Sequence, residues 1–211
     1  MIAGVDGTPG GWVVALVEGR TSVTWHVVPH ARDVLEVTAG CAAVGVDMAL
    51  RSPETGYRAS DVAARELLGA ARSSMFMAPI AAVLACETYE EACAVSRASH
   101  GKAISKQSWF IVPKMREWRL PLPARVVEVH PETTFRHLDP RVTDGKRTAR
   151  GVGQRIAALQ AFVDVPTAVA DLPKGPSTDD VLDALAAAWS AHRWHAGESR
   201  SLGDPPAVIE V

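Results

Sequence analysis

Residues 2–17, IAGVDGTPGGWVVALV, carry the reading that decides the fold. Ile2 to Asp6 is a short apolar run that ends in an acid. Gly7, Pro9, Gly10 and Gly11 then supply a turn, and Trp12 to Val17 returns soon enough to be a second, antiparallel strand. Working outward, Gly19 and Arg20 turn the chain into a third strand, Ser22 to Val28. Ala31 to Thr38 has helical spacing of Val34, Leu35 and Val37, and Ala43 to Asp47 (AVGVD) is another apolar strand closed by an acid. Three meandering strands, a helix and a fully apolar strand describe an α/β mixed sheet flanked by helices.

The block from about 49 to 123 reads differently. Ser60–Ala71 and Tyr89–Ala98 look helical, the stretch RSSMFMAP between them reads as a loop, and Pro113, Pro121 and Pro123 punctuate the approach to the next strand. We read it as a mostly helical insertion over the strand ends of a single domain spanning 1–211. Val126–Val129 is a strand carrying Glu128. Arg150–Phe162 and Ser177–His195 are helices, and Ala207–Val211 is a candidate last strand.

Composition sets bounds on function. With 47% hydrophobic and 22% charged residues the chain can bury a sizeable core. No basic stretch followed by an apolar run opens it, and no apolar segment is long enough to span a bilayer, so a cytoplasmic protein without membrane attachment is expected. Cys41, Cys86 and Cys93 are odd in number and lack metal-like spacing, which argues for reduced, buried thiols. From Arg97 to Arg155 thirteen Lys or Arg stand against five Asp or Glu. That is an excess of eight, so a total of −2 leaves the remainder at ten negative charges. A basic middle beside an acidic remainder suits a protein that grips an anion next to carboxylates, and an unevenly charged solvated surface is the plainer reading.

The acids fall at informative places. Asp6 and Asp47 each close an apolar strand, where open α/β sheets place ligand sites, although a single such Asp also serves as a turn or cap residue. Glu128 lies in a third strand expected nearby. Asp180 and Asp183 are three apart on the Ser177 helix and share a face. Asp180 has an equally good structural role, third in a helix capped by Ser177. Asp183 lies too deep for capping, and an acid there costs energy unless it meets water or a cation. Converging carboxylates repel, and a hard divalent ion such as Mg2+ or Mn2+ resolves the conflict. Two such ions, roughly 3.5–4 Å apart, suit phosphodiester hydrolysis by water.

The segments GVDGTPGGW, VGVDMAL, ARSSMFMAP, SKQSWFIVPKMREW, VVEVHPE and DDVLDALAAA, in this order over nearly the whole chain, resemble the family catalogued as domain of unknown function 429. That family is classed as predicted ribonuclease H-like nucleases. DDVLDALA also resembles the Asp-x-x-Asp-Ala helix of Holliday-junction resolvases, which share that fold. The resemblance implies a ribonuclease H-like fold, with Asp6, Asp47 and Asp183, joined by Asp180, as metal ligands and Glu128 as an auxiliary ligand or substrate contact. Two places depart from the family pattern. Met48-Ala49-Leu50 stands where a proline usually follows the second strand acid, and Ile80-Ala81-Ala82 lacks a basic residue.

The expected activity is therefore a Mg2+- or Mn2+-dependent nuclease, with Asp6, Asp47, Glu128 and Asp183 catalytic. Its substrate is nucleic acid or another phosphodiester, and the sequence leaves room for a homodimer. Gly7, Gly10 and Gly11, whose amides can cradle phosphate, and Arg72, Gln107, Lys114 and Lys146 are the candidate substrate contacts. For Arg72 and Lys114 a surface ion pair is an equal alternative, and for Gln107 a place at a strand start. A non-catalytic anion-binding protein and a hydrolase of a small phosphorylated metabolite are the competing functions. An actin-like ATPase also uses a glycine turn after an Asp-ended strand, but it needs two such domains, and 211 residues are too few.

Overall fold

The computed structural model describes residues 1–211. In chain order the elements are β1 Ile2–Thr8, β2 Gly11–Glu18, β3 Ser22–Val28, α1 Ala31–Val37, β4 Val44–Val46, α2 Ala59–Leu68, α3 Tyr89–His100 and α4 Lys106–Glu117. They continue with β5 Val126–Glu128, α5 Pro131–Leu138, α6 Ala149–Leu159, α7 Val165–Ala168, α8 Thr178–Ala196, β6 Ser201–Leu202 and β7 Ile209–Glu210. No helix is long and apolar enough to cross a membrane, and all three cysteines are free and buried.

The chain divides into two compact units. The first comprises Met1–Met48, Leu122–Arg200 and Glu210–Val211. Its five-stranded sheet has the order β3-β2-β1-β4-β5, with β2 antiparallel to both neighbours and β1, β4 and β5 parallel. This is an α/β mixed sheet flanked by helices, consistent with a ribonuclease H-like fold. The central strands are buried almost throughout, whereas β3, at the edge, is exposed or half-buried everywhere but at Trp25.

Strand β1 runs two residues past Asp6, because Gly7 and Thr8 continue to pair with Trp12 and Gly11. Only Pro9-Gly10 remains as the loop, with Gly10 at φ 82°, so the glycine-bearing turn is a tight hairpin. A side chain at Gly11 would meet the Val28 carbonyl at 2.1 Å, which ties that glycine to the close approach of β3.

Helix α8 is the main cover of one sheet face. Ser177 caps its start in a capping box with Asp180, and left-handed Gly197 ends it. Ten of its residues between Val181 and Ala191 are buried, most of them small. On that face Phe135, Leu159, Val163 and Trp25 complete the core. The strands beneath α8 lack side chains where the helix crosses. Gly4 and Gly45 are register partners on β1 and β4. A Cβ on Gly4 would lie 1.9 Å from the Ala184 carbonyl, and one on Gly45 would lie 2.2 Å from the Ala187 carbonyl.

The second unit, Ala49–Pro121 with Ser201–Ile209, holds α2, α3 and α4 and two short 3-10 turns at 69–74 and 81–85. Its interior is organised by Asp61, which is fully buried, ion-paired to Arg58 and accepts the Ala78 amide at 2.8 Å. Two local readings change here. The helix expected to run to Ala71 ends at Leu68 and continues as a 3-10 turn. SKQSWFIVPKMREW forms helix α4 with Pro113 inside it, so that proline does not break the chain. Ser105 caps the helix, and buried Val112 and Met115 flank the proline and supply the packing that offsets its missing hydrogen bond.

The glycine shelf makes a stability prediction. Gly4→Ala should destabilise the protein by about 3 kcal/mol or more, because α8 backbone must move. Gly153→Ala, at an exposed helical position with nothing within 4 Å of the added Cβ, should instead gain roughly 0.5–1 kcal/mol. Urea unfolding of both variants checks the contrast.

Candidate metal centre

Side chains alternate along strands, so Asp6 leaves the sheet on the same face as Gly4, and Asp47 on the same face as Gly45. On α8, Asp183 lies one turn before Ala187, the residue over Gly45. Two residues along a strand and one turn of helix cover similar distances, so the three acids meet beside the shelf. Carboxylate oxygens of Asp6, Asp47 and Asp183 all lie within 4.8 Å of one another. Asp6 and Asp183 are buried, at 8% and 2% exposure, and Asp47 keeps part of its surface open. The Asp47 amide donates to the Val5 carbonyl at 2.9 Å, holding the end of β4 against β1.

These acids stand in an electrostatically expensive place. Burial and the neighbouring charges of Asp47 and Asp183 push Asp6 well above the usual carboxylate range. Asp47 is raised to about 7, first by desolvation and then by Asp183, while Lys146 and a hydrogen bond with Asp6 pull the other way. Desolvation raises Asp183 to about 6 against the opposing pull of Lys146. The Asp6 Oδ1 accepts the Gly7 amide at 2.6 Å, so that amide orients the carboxylate. The buried Asp183 Oδ1 has no hydrogen-bond partner.

Lys146 joins the acids. Its Nζ lies 2.6 Å from the Asp183 Oδ2 and 3.6 Å from Asp179. Burial pulls this ammonium down, but the attraction of Asp183, with Asp47 and Asp6, outweighs it and holds the lysine above its usual range.

Two other acids are placed differently. Asp180 accepts the Ser177 amide and the Thr8 hydroxyl, each at 2.9 Å, which uses it as a helix cap tied to the end of β1. Its charge still raises Asp6. Glu128 is buried and pairs in register with Val46, one residue before Asp47. Strand alternation therefore sends its side chain to the other face, and it reaches Asp47 as a through-space charge. His130 is the N-cap of α5, its carbonyl accepting the Thr133 and Thr134 amides.

Gly10 is exposed at the hairpin tip and Gly11 is buried. Arg72, Gln107 and Lys114 belong to the second unit. There Arg72 is exposed on a 3-10 turn, Lys114 is half-buried on α4, and Gln107 in the first turn of α4 lines a cavity of about 350 Å3 with Ser105, Ser108 and His100. Gln107 is thus helical, and the strand start considered for it does not occur.

Asp179 was not singled out by the sequence reading. The signal was its spacing, four residues before Asp183 on the same helix face.

The fold and the triad together define an α/β protein, consistent with a ribonuclease H-like fold, in which a buried acidic site can hold a metal ion. The chain belongs to the family described as "Protein of unknown function (DUF429)", whose model matches residues 4–208. No match was found among curated proteins or among solved structures.

The raised carboxyls set the sign of a pH effect. In the unfolded chain they titrate near 4, so between about pH 4 and 7 the folded state holds more protons than the unfolded one. Their contribution is fully present below pH 4 and is lost as pH rises through 6 and 7. In chelator-treated samples Asp47→Asn should gain roughly 1–2 kcal/mol over the wild type at pH 7.5, after allowance for solvent screening, and far less at pH 4.5. Urea midpoints at the two pH values measure the difference.

Proposed function

We infer that this protein is a divalent-metal-dependent phosphodiester hydrolase acting on nucleic acid. The observation that carries the reading is the convergence of three carboxylates within 4.8 Å from two parallel strands and one helix. The residues fit a hard ion: the donors are all oxygen, and a buried carboxylate oxygen on Asp183 lacks a partner. Asp6, Asp47 and Asp183 would hold the ion, Mg2+ or Mn2+. When bound, such ions polarise a phosphoryl oxygen and make water a nucleophile at neutral pH.

The chain's own residues supply the rest. The Gly7 amide fixes the Asp6 carboxylate, and the Asp180 cap anchors the start of α8 to Thr8, which holds Asp183 at the right height. Lys146, on the basic stretch between Arg97 and Arg155, brings positive charge to the place where a phosphate would lie. A two-ion scheme asks for more negative charge than three carboxylates beside a lysine provide, and the substrate phosphate supplies it. Glu128 and Asp180 serve this reading as outer charges that keep the acids attractive to a cation. The total charge of −2 favours short or single-stranded substrates over long duplexes.

A panel of short single- and double-stranded oligonucleotides, with Mn2+ or Mg2+, tests the activity. Cleavage should appear with either ion and fall by roughly two to three orders of magnitude in Asp6→Asn, the size expected for losing one preorganised electrostatic group. Calcium should support binding without turnover, because its looser coordination positions the attacking water poorly. Binding of the oligonucleotides without metal-dependent cleavage would favour a non-catalytic anion-binding protein instead.

A further inference from the structure

The loop that carries Lys146 is braced to a degree that an ordinary surface lysine does not need. The Gln154 side-chain carbonyl accepts the Thr143 and Asp144 amides at 3.2 and 3.0 Å, and its amide nitrogen donates to the Asp144 carboxylate at 2.8 Å. Buried Arg155 donates to the Asp144 carbonyl at 2.9 Å while gripping both Glu132 oxygens at 2.8 Å. Thr148 caps α6 through the Gly151 amide and bonds back to the Gly145 carbonyl. A Cβ at Gly151 would lie 2.1 Å from that carbonyl, so the helix start closes directly on the loop.

What this platform presents is an ammonium between two acids one helical turn apart. The inner rung is Asp183, at 2.6 Å and 3% side-chain exposure, and the outer rung is Asp179, at 3.6 Å and 20% exposure. Asp179 is itself steadied, its Oδ1 accepting the Ser177 hydroxyl at 2.5 Å.

We propose that Lys146 is the resident cation of the acidic centre, and that it yields Asp183 to a divalent ion by stepping outward onto Asp179. The proposal rests on the metal-site reading above and goes beyond it by assigning a two-position lysine that sets how tightly the first ion binds. The outer acid is the essential part: without it, displaced Lys146 has no partner and its charge opposes the ion. In a metal-only site with a bystander lysine, losing Asp179 would cost the same affinity whether or not the lysine is present.

Calorimetric titration of chelator-treated protein with Mn2+, without substrate, tests it through a double-mutant cycle. Wild type should take up one ion. Lys146→Gln should bind it about tenfold or more tightly, because no competing cation remains, and Lys146→Arg should stay near wild type. Asp179→Asn should weaken binding severalfold, yet have little effect when combined with Lys146→Gln. Equal affinity of Lys146→Gln and wild type, or the same loss from Asp179→Asn in both backgrounds, overturns the stepping lysine while leaving the metal site standing. Absence of Mn2+ uptake in every protein, Lys146→Gln included, instead removes the metal site itself. If Lys146→Gln does not fold, Lys146→Ala supplies the uncharged background in which Asp179→Asn must lose its effect.

Discussion

Helix α8 rests on β1 and β4 at backbone distance, because Gly4 and Gly45 stand side by side directly beneath the Ala184 and Ala187 carbonyls. That contact fixes both the height and the register of the helix over the sheet. Once it is fixed, strand alternation and helical periodicity leave no choice about what comes next. Asp6 and Asp47 emerge two residues beyond the shelf, and Asp183 comes down one turn before it. The alanine-rich face of α8 and the glycines below it are therefore the mechanical cause of the acidic cluster.

The cluster is costly for the fold. Three carboxyls largely withdrawn from water, each raised from its normal range, contribute repulsion and desolvation that the rest of the unit must offset. The protein answers with two devices, the Gly7 amide on Asp6 and the Lys146 ammonium on Asp183. Neither of them satisfies the second oxygen of Asp183. A site that retains this much unrelieved negative charge, built on rigid elements, is poised for a cation more than it is optimised for stability.

Much of the fold was legible in the sequence because it rests on local patterns. The antiparallel return after GVDGTPGGW, the edge strand Ser22–Val28 and the apolar strand before Asp47 follow from alternation and turn chemistry, and α8 follows from its cap and periodicity. The same patterns nominated Asp6, Asp47 and Asp183. What they could not supply were relations set by tertiary register. Glu128 looked equivalent to the other strand acids, and only its pairing with Val46 shows that it faces the other way. Asp180 offered a cap and a ligand with equal force, and the bond it accepts from the Ser177 amide shows it acting as the cap. Lys146 was one of three basic candidates for a substrate contact, and its meeting with Asp183, 37 positions on, depends on a loop braced by Gln154 and Arg155. Pro113 misled because propensity spoke for a break, whereas packing around Val112 and Met115 carried the helix through it.

The central claim, that Asp6, Asp47 and Asp183 form one cation site with Lys146 as its internal competitor, is tested most directly by crystals soaked in Mn2+ and measured at the manganese edge. The account predicts an anomalous peak about 2.2 Å from a carboxylate oxygen of each aspartate, with the Lys146 ammonium withdrawn from Asp183. A clean map without a peak, and with Lys146 still bonded to Asp183 at saturating manganese, would contradict it.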